Sequence, residues 1–126
     1  MDITVEGTVA NQVDFTGLDA YYFDGTIKNS GGIIHNTTRI DSGDSPYTVL
    51  ATDHVIFANT DTAAVTVDLP AGVEGTEYRI VNTGTSATQV SIDPNGAENL
   101  MGANTTFYLD DGESLIIHYN ATDGWY

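Results

Sequence analysis

The chain has 126 residues, no cysteine, and 18 acidic side chains against three basic ones, for a formal charge of −15. Without cysteine there is no disulfide framework and no thiolate chemistry, and a length of this order makes one domain the default. Lys28, Arg39 and Arg79 are the whole basic complement, too few to neutralise a phosphate backbone or hold an anionic bilayer, so neither nucleic acid nor membrane is expected as a partner.

In chain order, Met1-Asp-Ile-Thr-Val-Glu6 has neither the basic nor the apolar stretch of a secretory leader, and no segment has the roughly 20 apolar residues that span a bilayer. Ile3-Thr-Val5 and Val13-Asp-Phe15 read as short strands. Tyr21, Tyr22 and Phe23 follow, then a Gly25 turn. On a strand, Tyr21 and Phe23 share one face and Tyr22 takes the other, so the cluster serves the core or a partner. Asp41-Ser-Gly-Asp-Ser-Pro46 is composed of turn-favouring residues. Residues 1–45 are therefore expected to form an N-terminal arm or added β-layer. The interface residues expected in it are Ile3, Val5, Phe15, Tyr21, Tyr22, Phe23, Lys28 and Arg39.

Residues 46–126 carry a series of short alternating strands: Val65-Thr-Val67-Asp-Leu69, Glu77-Tyr-Arg-Ile-Val81, Gln89-Val-Ser-Ile-Asp93, Phe107-Tyr-Leu109 and Ser114-Leu-Ile-Ile-His-Tyr119. Period-two alternation gives each strand an inner and an outer face. The inner set is Val65, Val67, Leu69, Tyr78, Ile80, Val90, Ile92, Leu109, Leu115 and Ile117. Strands separated by a few turn residues predict an all-β fold, an antiparallel β-sandwich or barrel, with 1–45 as its arm and 46–126 as the module. Asp110-Asp-Gly112-Glu113 reads as a hairpin turn.

The ordered set Tyr47-Thr-Val49, Thr52-Asp-His-Val-Ile56, Val65 to Pro70, Tyr78-Arg-Ile-Val-Asn-Thr-Gly84, Val90 to Gly96, Gly112-Glu-Ser114 and Gly124-Trp-Tyr126 resembles a β-rich module of tailed-bacteriophage virion proteins, found in tail-fibre and head-decoration contexts. The resemblance covers about two thirds of the chain. It implies a structural or adhesive role on a phage particle, made in the host cytoplasm and carried on the virion.

No catalytic constellation emerges from the residues. His35, His54 and His118 belong to no HxH or HExxH pattern; His118 is expected on the outer side of its strand, and a trimer axis is one place where the three would converge. No Gly-x-Ser-x-Gly elbow is present. Asp93-Pro-Asn-Gly-Ala-Glu98 offers oxygen ligands for calcium but departs from EF-hand spacing, and turn chemistry explains it better. The expectation is a non-enzymatic chain with no cofactor and no catalytic or metal site. With the resemblance, the expected role is a structural virion protein that decorates and cements the outer surface of the capsid, with the major capsid protein and its own copies, as a homotrimer, for expected partners. The alternative is a tail-fibre or host-adhesion module, in which Tyr108, Tyr119, Trp125 and Tyr126 stack on a host glycan.

Overall fold

The computed structural model describes residues 31–126. Contacts divide the chain between Ile33 and Ile34, and the unit Ile34–Tyr126 holds every described strand. These are β1 (Thr37–Ile40), β2 (Tyr47–Thr48), β3 (Val55–Ala58), β4 (Val65–Asp68), β5 (Glu77–Asn82), β6 (Val90–Asp93), β7 (Phe107–Leu109), β8 (Ser114–Asn120) and β9 (Gly124–Trp125). The described residues contain no helix, and the fold is all-β.

The strands form a five-stranded sheet, β1-β3-β5-β8-β9, and a four-stranded sheet, β2-β4-β6-β7, which are not closed into a barrel. Their order corrects the antiparallel expectation. From β1 to β6 the chain alternates between the two sheets, so each strand lies parallel to the one two places before it: β1 with β3, β3 with β5, β2 with β4, β4 with β6. Only β7, β8 and β9 add antiparallel pairs. The turns are where the sequence places them, but they carry the chain across to the other layer. Asp41–Asp44 closes with the Asp44 amide on the Asp41 carbonyl and the Gly43 amide on the Asp41 carboxylate, and it leads from β1 in one sheet to β2 in the other. Asp110–Glu113 is likewise a turn, with the Glu113 amide on the Asp110 carbonyl and Gly112 at φ 77°. It joins β7 to β8 across the layers and is not a hairpin.

The core lies between the sheets. Val65, Val67, Leu69, Tyr78, Ile80, Val90, Ile92, Leu109 and Ile117 are buried and Leu115 is partly buried, as the alternation requires; Ile40, Val49, Ile56, Ala58, Leu100 and Trp125 complete it. Two buried polar side chains, Asn82 and Asp53, tie the layers. The Asn82 amide of β5 donates to the carbonyls of Thr88 and of Leu109 in β7, while its oxygen accepts from the Thr60 hydroxyl and the Gly84 amide. Asp53 accepts from the hydroxyls of Thr38 in β1 and Tyr47 in β2 and from the Leu50 amide. Burial alone would raise this carboxyl, but the hydrogen bonds from Thr38, Leu50 and Tyr47 outweigh it and hold it below its ordinary value. Burial and the bond to Asp53 push Tyr47 up to about 12. Glu98 accepts from the Gly72 amide and the Trp125 indole, and Asp93 accepts from the Thr106 hydroxyl. Both carboxylates of the suspected calcium turn are thus engaged within the chain.

Candidate functional site

The two sheets present different outer faces. On the four-stranded sheet, the side chains opposite the core are Thr66 and Asp68 of β4, Ser91 and Asp93 of β6 and Tyr108 of β7, in registered rows such as Thr66–Ser91–Tyr108. This face is hydroxylated and acidic.

The five-stranded sheet is the reverse. Register places Thr37, Val55, Arg79 and Ile116 in one row and Arg39, Phe57, Val81 and Ser114 in the next. Val55, Phe57 and Val81 are half-buried, Ile116 is 48% exposed, and both arginines are exposed. Parallel strands are ordinarily covered on both faces and read as continuous apolar runs. Val55-Ile-Phe-Ala58 and Leu115-Ile-Ile117 are such runs, yet no described element covers their outer side. The Arg39 guanidinium lies 5.6 Å from the centre of the Phe57 ring, within cation–π range. His35, Thr37, Val55, Phe57, Arg79 and Val81 line a shallow depression of ≈ 380 Å³. Among the described residues neither arginine makes an ion pair with a carboxylate.

At one end of this face the three histidines meet. The His35 ring stacks on His54 with centroids 3.9 Å apart and planes within 8°. The His54 Nε2–H donates to Glu77 Oε1 at 3.0 Å, and the His118 Nε2–H donates to Glu77 Oε2 at 2.7 Å. The convergence thus occurs within one chain, without a trimer axis, because β3, β5 and β8 are neighbours in the sheet. His118 is on the outer side of its strand, as the alternation predicts. Among the described residues no set of three or more His, Cys, Asp or Glu is placed to hold a metal ion.

The bond from His118 is the main cause that holds the Glu77 carboxyl below its ordinary value of 4.5, with burial opposing it and His54 adding to it. A carboxyl depressed in the folded state stabilises the fold above its unfolded pKa, and that contribution is lost as pH falls through the folded value. The stability difference between the parent and Glu77→Gln is therefore expected to shrink as pH falls below about 4.5. Urea unfolding of both proteins at a series of pH values from 5 to 3 (on the order of a few tenths of a unit apart) checks this; a difference that widens in acid would contradict it.

Of the residues expected at an interface, Ile3, Val5, Phe15, Tyr21, Tyr22, Phe23 and Lys28 lie outside the described residues. Arg39 stands on the face just built. Val55, Phe57, Arg79, Val81 and Ile116 are additions from the structure; the signal for Val55, Phe57 and Ile116 was the break in alternation, whereas Arg79 is a regular outer position of β5. The aromatics proposed for glycan stacking separate: Trp125 is fully buried, Tyr119 packs on it at 5.0 Å, and Tyr108 and Tyr126 are about half exposed.

No protein-family model matches the chain, and no curated protein matches it. Among solved structures, a chain from the structure of a chaperone–substrate complex is similar, with a TM-score of 0.45 and 19% identity over 72% of this chain. The match spans 17% of that longer chain.

Proposed function

We propose that the chain is a structural virion protein of a tailed bacteriophage, an outer capsid decoration protein that binds the assembled shell and stabilises it. The placement on a phage particle rests on the sequence resemblance. The observation that carries a binding role is the outer face of the five-stranded sheet, an apolar surface with two arginines that make no ion pair among the described residues, on an otherwise acidic module. Such a broad surface suits contact with another protein better than chemistry on a small substrate. A protein that binds only the assembled shell stabilises it by mass action, and self-association as a trimer would add avidity at threefold points of the lattice.

Immunogold labelling of virions, paired with thermal disruption of heads with and without the protein, tests the proposal. The expected result is label over the head and a disruption temperature that rises with added protein until sites saturate. Label confined to the tail would overturn it in favour of host adhesion. That second reading has its own support in Tyr108, 54% exposed beside Ser91 on the hydroxylated outer face of the four-stranded sheet, where an aromatic ring could stack on a sugar.

A further inference from the structure

We infer that the outer face of the five-stranded sheet docks an acidic protein surface, one with an apolar centre flanked by two carboxylates that meet arginines whose Cα atoms are about 12 Å apart. The inference rests on the structural-module reading and names the partner chemistry of that same face. The spacing follows from register. Arg39 pairs with Phe57, which pairs with Val81, and Arg79 lies two residues before Val81 on β5. Two strand steps of about 4.8 Å and two residue steps of about 3.3 Å separate the arginines diagonally.

Charge selects the occupant. Both described basic side chains are on this face, and among the described residues neither has an ion pair. The one carboxylate in its strands, Glu77, is already held by two histidines. In the turn beyond β1, the Asp44 carboxylate accepts from the Asp41 amide and the Asp41 carboxylate accepts from the Gly43 amide. A guanidinium is weakly hydrated and presents a planar fork of donors, so it is suited to a carboxylate at a partly dried interface. The apolar rows between the arginines supply the area, and Arg with aromatic neighbours is the usual composition of an interface centre. Two copies meeting face to face would oppose arginine to arginine. The whole-molecule charge of −15 repels an acidic partner at long range, and salt screens that repulsion beyond about 8 Å while leaving close pairs less affected. Association is therefore expected to quicken as salt rises from low to physiological concentration.

The test uses the full chain and two synthetic strand-forming peptides, one alternating valine with glutamate and one alternating valine with lysine, followed by NMR. The expected result is that the glutamate peptide shifts the Arg39 and Arg79 side-chain signals and the Ile116 methyl signals. The lysine peptide should not, and Arg39→Gln/Arg79→Gln should weaken binding about tenfold or more. Both arginines are exposed, so an unchanged circular dichroism spectrum of the variant separates lost binding from lost folding. Equal binding of both peptides, shifts confined to the four-stranded sheet, or no shifts would overturn the inference. So would shifts of this face that depend on protein concentration alone, which would make a second copy the occupant. If the double variant loses the peptide yet still coats phage heads, the head-binding surface lies elsewhere. If the peptide binds as expected and no virion carries the protein, the virion reading fails and the docking face stands.

Discussion

Asn82→Leu is expected to destabilise the unit by about 3–5 kcal/mol, since each buried group left without a partner costs about 1–3 kcal/mol. The side chain of Asn82 is fully buried and makes four hydrogen bonds. Leucine has the same branched skeleton and is the larger residue, so the cost is not a cavity. It is the stranding of the Thr60 hydroxyl, the Gly84 amide and the Leu109 carbonyl away from water, with the part-buried Thr88 carbonyl adding less. Against a typical stability of about 5–15 kcal/mol, this is a large fraction. Thr60→Ala removes one bond from the same knot and should cost less, which gives a graded comparison. Gly84 belongs to the knot as well: a Cβ there would sit 2.0 Å from the Thr60 hydroxyl, so Gly84→Ala must displace the group that Asn82 holds. Urea titration of the three variants measures the order. A loss below about 1 kcal/mol for Asn82→Leu, the worth of a single ordinary hydrogen bond, would mean that water replaces the side chain and the knot is not sealed.

Asn82 also marks the limit of reading this fold from sequence. Apolar alternation is set by local geometry, so Val65, Val67, Leu69, Ile80, Val90, Ile92 and Ile117 could be assigned inward from spacing alone, and all are buried. A buried Asn, Asp or Thr carries no such signature: its type signals surface, and only the partners brought by other strands make Asn82, Asp53 and Thr60 interior residues. Pairing was illegible for a related reason. Period two says which way a side chain points but not which strand lies beside it, and the short turns around Asp41 and Asp110 serve a hairpin or a crossing between layers equally well. Trp125 and Leu100 escaped assignment because β9 has two residues and Leu100 makes only isolated bridges, too little for a period to show. At the candidate site Arg39 was singled out from its charge, and it stands exposed on the outer face of the five-stranded sheet. The histidine–glutamate cluster was not readable, because residues 35, 54, 77 and 118 come from four separate segments. The apolar outer face had a signal in Val55-Ile-Phe-Ala58, where consecutive apolar residues demand burial on both sides.

A chain beginning at Ser45 is expected to lose cooperative folding, whereas one beginning at Ile34 should keep it. Residues 1–45 read from sequence as an arm, but β1 lies inside that span and is paired along its whole length with β3. Starting at Ser45 removes Ile40, which is 4% exposed in the core, and burial of such a side chain contributes about 1.5–3 kcal/mol. It removes the Thr38 hydroxyl from Asp53, leaving a buried carboxylate with fewer of the bonds that offset its desolvation. It also strips the β3 edge of its parallel partner and of the Val55 and Asn59 amide bonds to Asn36 and Ile40. Together these losses are of order 5 kcal/mol or more, comparable with the whole stability of a small domain. Starting at Ile34 leaves every one of these contacts in place and coincides with the division between the two units. Thermal melts followed by circular dichroism should show a sigmoidal transition for the Ile34 chain and a flat, non-cooperative trace for the Ser45 chain. If the Ser45 chain melts like the full one, β1 is an accessory strand, and Arg39 can then be deleted with it to ask directly whether partner binding needs that side of the sheet.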